Sequence, residues 1–246
     1  MGWKTSLILI ESNNNIVTDA QVLKALGFGE IKSQSESTSD VYLNPDDGSI
    51  GIGRYNGNII ICDGYFVTEK SLEMPRSLRL CKEEKKLCKL FPNSEIVSVA
   101  CHSAINYHGY SLIQNGKKLR LKTISDGERA QSYGKRTKEE EEIYKGSFVK
   151  KKATYWKTEL DPKEDIGEDQ MMEDFTFEMA KRRLGGRLDG AEGLEILPQS
   201  FIKYFPVKPI KLTEQDMVSK KTTWKTYAVI FAVIVLWQIF KMLFTR

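Results

Sequence analysis

Histidine is nearly missing from this chain: among 246 residues only His102 and His108 occur, so imidazole chemistry is confined to one short stretch. Cysteine is sparse as well, and Cys62, Cys81, Cys88 and Cys101 form no Cys-x-x-Cys pair. With no His-x-x-x-His either, the close-spaced zinc signatures are excluded and no metal ligand set is expected. The carboxylates of Asp46-Asp47 and Asp161 to Asp169 lack calcium-loop spacing. No nucleophile elbow is present. Gly2-x-Lys4-Thr5 lacks the leading glycine and spacer of a phosphate loop and precedes a strand, so it reads as a chain start. No cofactor is expected.

Charge of one sign is not in excess either. The net +4 comes from 37 basic and 33 acidic residues, a surplus too small to demand nucleic acid as a partner. The N-terminus shows no basic n-region followed by an apolar h-region, so no secretory signal is read and the large domain is expected in the cytosol. In that reducing compartment the four cysteines are expected as buried thiols.

What is present is β patterning punctuated by turn chemistry. Asn115-Gly116, between Tyr110–Gln114 and Lys117–Lys122, predicts a two-residue type I′ hairpin, because Asn and Gly tolerate positive φ at both central positions. In its second arm Leu119 and Leu121 alternate with Lys118, Arg120 and Lys122, which predicts one buried apolar face and one wet face. Asn56-Gly57 predicts a second hairpin. Leu7 to Ile10 is a continuous apolar run of the kind covered on both faces, and Glu95 to His102 reads as a central strand.

Helices are predicted after Thr18, ending at Gly27, then over 77–91 and from about Glu168 to Leu184, where Met172, Phe175, Met179 and Leu184 share one side. Ser33 to Asp40 reads as a polar connector, Val41 to Leu43 as a short strand, and Tyr65 to Thr68 as another. Residues 126–168, rich in lysine and glutamate, read as a charged, partly mobile excursion with some helix around Glu139 to Glu142.

Thr226 to Phe244 would span about 28 Å as a helix, close to a bilayer core of about 30 Å. Trp224, Tyr227 and Trp237 would anchor it, with Lys220, Lys221 and Lys225 on the cytoplasmic side. The expected organisation is therefore a cytosolic α+β domain over 1–205, mainly antiparallel with β-hairpins and a few packed helices. A linker over 206–223 and a transmembrane tail anchor over 224–246 complete it.

Candidate chemistry gathers at Cys101, His102, His108 and Asp63. Neighbours on a strand point to opposite faces, so Cys101 and His102 do not pair directly. Ser98, Ala100 and His102 would share a small-residue face able to floor a pocket.

Several short motifs resemble an uncharacterised bacterial domain family of unknown function. They are the Met-Gly-x-Lys-Thr start at Met1, Ile61-Cys62-Asp63, His102-Ser103 followed by a hairpin like Gly109 to Arg120, and Gly167-Glu168-Asp169 opening a late helix. The similarity spans roughly residues 1 to 200. Where the family carries an acidic Asp-Gly-Asp run after its first strand, this chain has Ser12-Asn13-Asn14-Asn15, and no membrane tail is a family feature. The resemblance implies one α+β domain and transfers no catalytic residue.

The sequence thus reads as a membrane-tethered interaction or regulatory module facing the cytoplasm, partnered by the lipid bilayer and another membrane-associated protein. The alternative is a membrane-anchored enzyme of hydrolase type, with its pocket on the His102 face.

Overall fold

The computed structural model describes residues 2–12, 17–37, 48–73, 77–125, 129–158, 164–196 and 199–207. The chain divides into Met1–Ile210 and Lys211–Arg246, and every described residue lies in the first unit. Its strands are β1 (Lys4–Glu11), β2 (Ile31–Ser37), β3 (Ile50–Tyr55), β4 (Asn58–Cys62), β5 (Glu95–His102), β6 (Tyr107–Gln114), β7 (Lys117–Ile124) and β8 (Gln131–Gly134). They continue with β9 (Ser147–Lys150), β10 (Ala153–Lys157), β11 (Asp165–Gly167) and β12 (Phe201–Pro206). The helices are α1 (Asp19–Leu26), α2 (Phe66–Glu73), α3 (Lys82–Leu90), α4 (Lys138–Lys145), α5 (Met172–Leu184) and α6 (Gly193–Ile196).

Nine strands form one sheet in the order β2-β12-β3-β4-β1-β5-β6-β7-β8, and β11-β10-β9 form a second, three-stranded ribbon. Every pairing is antiparallel. The α+β class and the large antiparallel sheet with helices agree with the sequence reading. β1 lies at the centre because Leu7, Ile8, Leu9 and Ile10 are all buried, which only a strand covered on both faces allows. Its odd side chains join Val97, Val99, Phe175 and Met179 under α5, and its even ones join Val22, Leu26, Ile61 and Leu87 under α1 to α3. Burying each such side chain contributes about 1.5–3 kcal/mol.

Both Asn-Gly turns form as expected, with φ of 49° and 69° at Asn56-Gly57 and 50° and 68° at Asn115-Gly116. Thr18 caps α1 through a capping box with Gln21, and Gly27 ends it in the left-handed region.

The alternation read in β7 is corrected. Between Leu112 and Ile113 the register slips, so Leu112 faces Arg120 while Ile113 faces Lys118, and Leu119 is the extra residue of a bulge. Leu119 is 42% exposed, whereas Lys118, Arg120 and Lys122 are buried. Each buried cation meets its own carboxylate: Lys118 meets Glu84 at 2.8 Å, Arg120 meets Glu140 by two hydrogen bonds, and Lys122 meets Glu168 at 2.8 Å. Lys122 Nζ also lies 3.6 Å from the centre of the Phe175 ring.

Other differences have local causes. Tyr65 to Thr68, expected as a strand, forms a turn at Tyr65 and the start of α2 from Phe66, because the Asp63 carboxylate accepts from the backbone N–H of Val67 and Thr68 at 2.6 and 2.7 Å. The expected polar connector at Ser33 contributes instead to β2, held by backbone pairing with β12 even though its side chains are mostly exposed. Within 126–168 the described residues build β8, α4 and the three-stranded ribbon. Val41 to Leu43 lies outside the described residues.

The membrane-spanning reading is also corrected. No helix among the described residues is long and apolar enough to cross a membrane. The longest of them, α5, has 13 residues, about 20 Å at 1.5 Å each, against a hydrocarbon core of about 30 Å. Residues 224–246, with Trp224, Lys225, Tyr227 and Trp237, and the preceding Lys220 and Lys221, lie outside the described residues. The tail anchor, the single-pass topology and the bilayer as a partner are withdrawn with that finding.

Candidate metal centre

The candidate site sits where β5, β6 and the first turn of α5 converge. Antiparallel register pairs Cys101 of β5 with His108 of β6, and neighbours paired across strands share a face. On that same row of the sheet β1 places Thr5 opposite Cys101 on its other side. The strands can turn back so tightly because Ser103–Ile105 forms a short 3-10 turn and Asn106 takes the left-handed conformation at φ 44°. Above this row α5 buries Met172, Phe175 and Met179 against the sheet, which carries Glu173 of its first turn to the Cys101–His108 pair.

One ligand atom from each of Cys101, His108 and Glu173 lies within 4.8 Å of the others. Ser103 ties the group together. Its Oγ accepts from the Trp3 backbone N–H at 3.0 Å and donates to Glu173 Oε2 at 2.7 Å. A hydroxyl has one proton, so the 3.7 Å contact between Ser103 Oγ and Cys101 Sγ has the thiol as donor.

The electrostatics favour protonated sulfur and neutral imidazole when nothing else is bound. Burial pushes the Cys101 thiol up to about 12; the Ser103 contact opposes this and the Glu173 charge adds to it. Burial likewise lowers the pKa of His108, with Glu173 acting in the opposite sense. His108 is 4% exposed, and its Nδ1 finds no partner among the described residues. Thr5 Oγ1, in the same row, is also buried with no partner among the described residues. Two orphaned polar atoms flanking one thiol are expensive in a closed interior, about 1–3 kcal/mol each.

Family models, curated proteins and solved structures give no match to this chain.

The four sequence candidates separate. Cys101 and His108 come together. His102 does not join them: it alternates to the opposite face, where its ring lies 6.2 Å from that of Tyr65. Asp63 is 1% exposed, and its carboxylate accepts from Ser6 Oγ, Thr68 Oγ1 and the two N–H groups that open α2. These bonds make it a helix-capping group, and the membrane-anchored enzyme read for the His102 face loses its anchor with the tail span.

Glu173 was missed. No spacing rule connects it to Cys101 or His108, because its place depends on how α5 packs. The Cys101–His108 pairing was within reach, since a turn centred on Ser103 to Asn106 dictates it.

Chemically, the trio is poor as a nucleophile and base. An activated cysteine needs a cation or a helix N-terminus to lower its pKa, and here burial and a carboxylate raise it. As a donor set for a soft divalent ion it fits. Thiolate, neutral imidazole and carboxylate are the ligand types zinc takes, at about 2.0–2.3 Å. Tetrahedral coordination at those lengths separates ligand atoms by about 3.3–3.6 Å, so closing from 4.8 Å needs only side-chain rotation of the order of an ångström.

Proposed function

We propose that this protein binds one divalent transition-metal ion, with zinc the best fit, through Cys101, His108 and Glu173. The observation that carries the reading is the convergence of three different donor atoms within 4.8 Å beside a buried, unpartnered His108 Nδ1. Calcium and magnesium take oxygen ligands and leave sulfur and imidazole unused, so the donor set selects against them. Three protein donors leave one position for water or a small ligand. Ser103 holds Glu173 in place by its hydrogen bond, as outer partners of metal ligands commonly do. An ion there joins the β5–β6 hairpin to α5, which lies far along the chain from it, and so supports the fold as well as any chemistry at its free position.

Cobalt substitution tests this. Untagged protein loaded with Co2+ should take up one equivalent and show thiolate-to-metal charge transfer, lost in Cys101→Ser and weakened in His108→Ala. A bound stoichiometry unchanged in the Cys101→Ser, His108→Ala double variant would sink the assignment.

A further inference from the structure

Among the described residues, three hairpins close through two-residue turns with both residues at positive φ. Two use Asn-Gly. The third, between β9 and β10, uses Lys151-Lys152, at φ 51° and 69°. These angles match those of the Asn-Gly turns within a few degrees, yet lysine carries a Cβ and lacks the short amide of asparagine, so it resists this region. A chain that twice places Asn-Gly in this turn accepts strain at the third, and what that placement adds is two exposed cations at a hairpin tip.

The surface behind the tip carries the same chemistry. Register puts Phe148 opposite Tyr155 on one face of the ribbon, with Lys150 beside Ala153 and Lys157 beside Asp165 on that face. The two rings lie 6.1 Å apart with planes 30° from parallel, and Lys157 Nζ stands 5.4 Å from the Phe148 ring centre. Neither ring joins the apolar interior clusters. The ribbon is anchored instead by its other face, where Trp156 is buried and donates from Nε1 to the Ile143 carbonyl at 2.9 Å. Lys150 and Lys157 remain more than half exposed, and both pair with the single carboxylate of Asp165.

We infer that this face of the ribbon binds single-stranded nucleic acid, with bases stacking on Phe148 and Tyr155 and phosphates held by Lys150, Lys151, Lys152 and Lys157. Four cations against one carboxylate leave about three charges for phosphate. Aromatic rings among lysines suit unpaired bases, whose faces a duplex conceals. The inference is independent of the metal centre.

Binding of a short fluorescein-labelled oligouridylate to the full-length chain, followed by anisotropy across a salt series, tests it. Three phosphate contacts at about −0.7 each predict a slope near −2 for log affinity against log salt. Lys151→Asn with Lys152→Gly should raise the melting temperature, weaken binding at least tenfold at low salt and flatten the slope by more than one unit. Lys151→Arg with Lys152→Arg should bind as wild type, separating charge from turn shape. Tyr155→Leu should weaken binding with the slope unchanged. Wild-type affinity in the Asn-Gly variant would overturn the inference, as would no binding of oligouridylate, and binding to phosphatidylserine vesicles in its place would assign the face to a lipid surface.

Discussion

Arg120 is among the largest side chains fully enclosed by this fold, and a guanidinium cannot shed its charge to enter a core. It is tolerated because Glu140, itself buried, accepts from Nε at 2.8 Å and from Nη2, while the carbonyls of Tyr133 and Gly134 take Nη1. Burial alone would raise the Glu140 pKa, but the hydrogen bonds from Arg120 outweigh it and hold the carboxyl below 4.5. Removing one partner leaves the other charged and dry. Glu140→Ala should therefore lower unfolding free energy by about 3–5 kcal/mol in urea titration, whereas Arg120→Met with Glu140→Leu should recover most of it. A loss below about 1 kcal/mol for the single change would mean that water reaches Arg120. The pH dependence has a defined sign: a carboxyl depressed in the folded state adds stability fully present above about 4.5 and lost as pH falls through its lower folded value. Glu95, where burial is likewise outweighed by Arg182 and Arg183, adds to the same acid limb.

At the scale of elements, β7 shows what alternation can and cannot tell. Period-two patterning in Lys117–Lys122 correctly marks a strand, and Asn115-Gly116 correctly marks its turn, because both are properties of the local chain. Which face is inside is not local. It depends on the single-residue bulge at Leu119 and on carboxylates arriving from α3, α4 and the start of β11's following turn, none of which is encoded near Lys118. The same division runs through the candidate site. Cys101 and His108 belong to one hairpin and their pairing follows from turn placement, while Glu173 arrives on a helix whose docking no spacing discloses. Two substitutions distinguish the faces: Leu121→Ala should cost about 2–5 kcal/mol, since Leu121 is fully buried, and Leu119→Ser should stay within about 0.5 kcal/mol. Equal losses at both positions, measured by denaturant midpoint, would restore the unbulged register. Gly116→Val should cost on the order of 1 kcal/mol or more, because a β-branched residue resists φ of 68°.

For the molecule as a whole, an ion at Cys101, His108 and Glu173 couples metal uptake to folding and to pH. Anything that binds the folded chain and not the unfolded one stabilises it, by about 2.7 kcal/mol at a free concentration one hundred times the dissociation constant. Zinc should therefore raise the melting temperature of the wild-type protein and not of Cys101→Ser. The proton count sharpens the test. With its thiol pushed up to about 12, Cys101 must release one proton on binding anywhere in the neutral range, so apparent affinity should rise about tenfold per pH unit. Burial has already lowered the pKa of His108 below 6.5, so its ring is neutral and ready there. In the metal-free protein a histidine depressed in this way adds stability that is present above about 6.5 and lost as pH falls through the folded value. Below that value binding must displace two protons, and the dependence should steepen towards one hundredfold per unit. Thermal melts with and without zinc from acid to mildly alkaline pH measure all of this at once. A zinc-induced shift that ignores pH, or that survives in Cys101→Ser, would place the ion elsewhere, since ligation through Cys101 requires its thiolate and must release the cysteine proton.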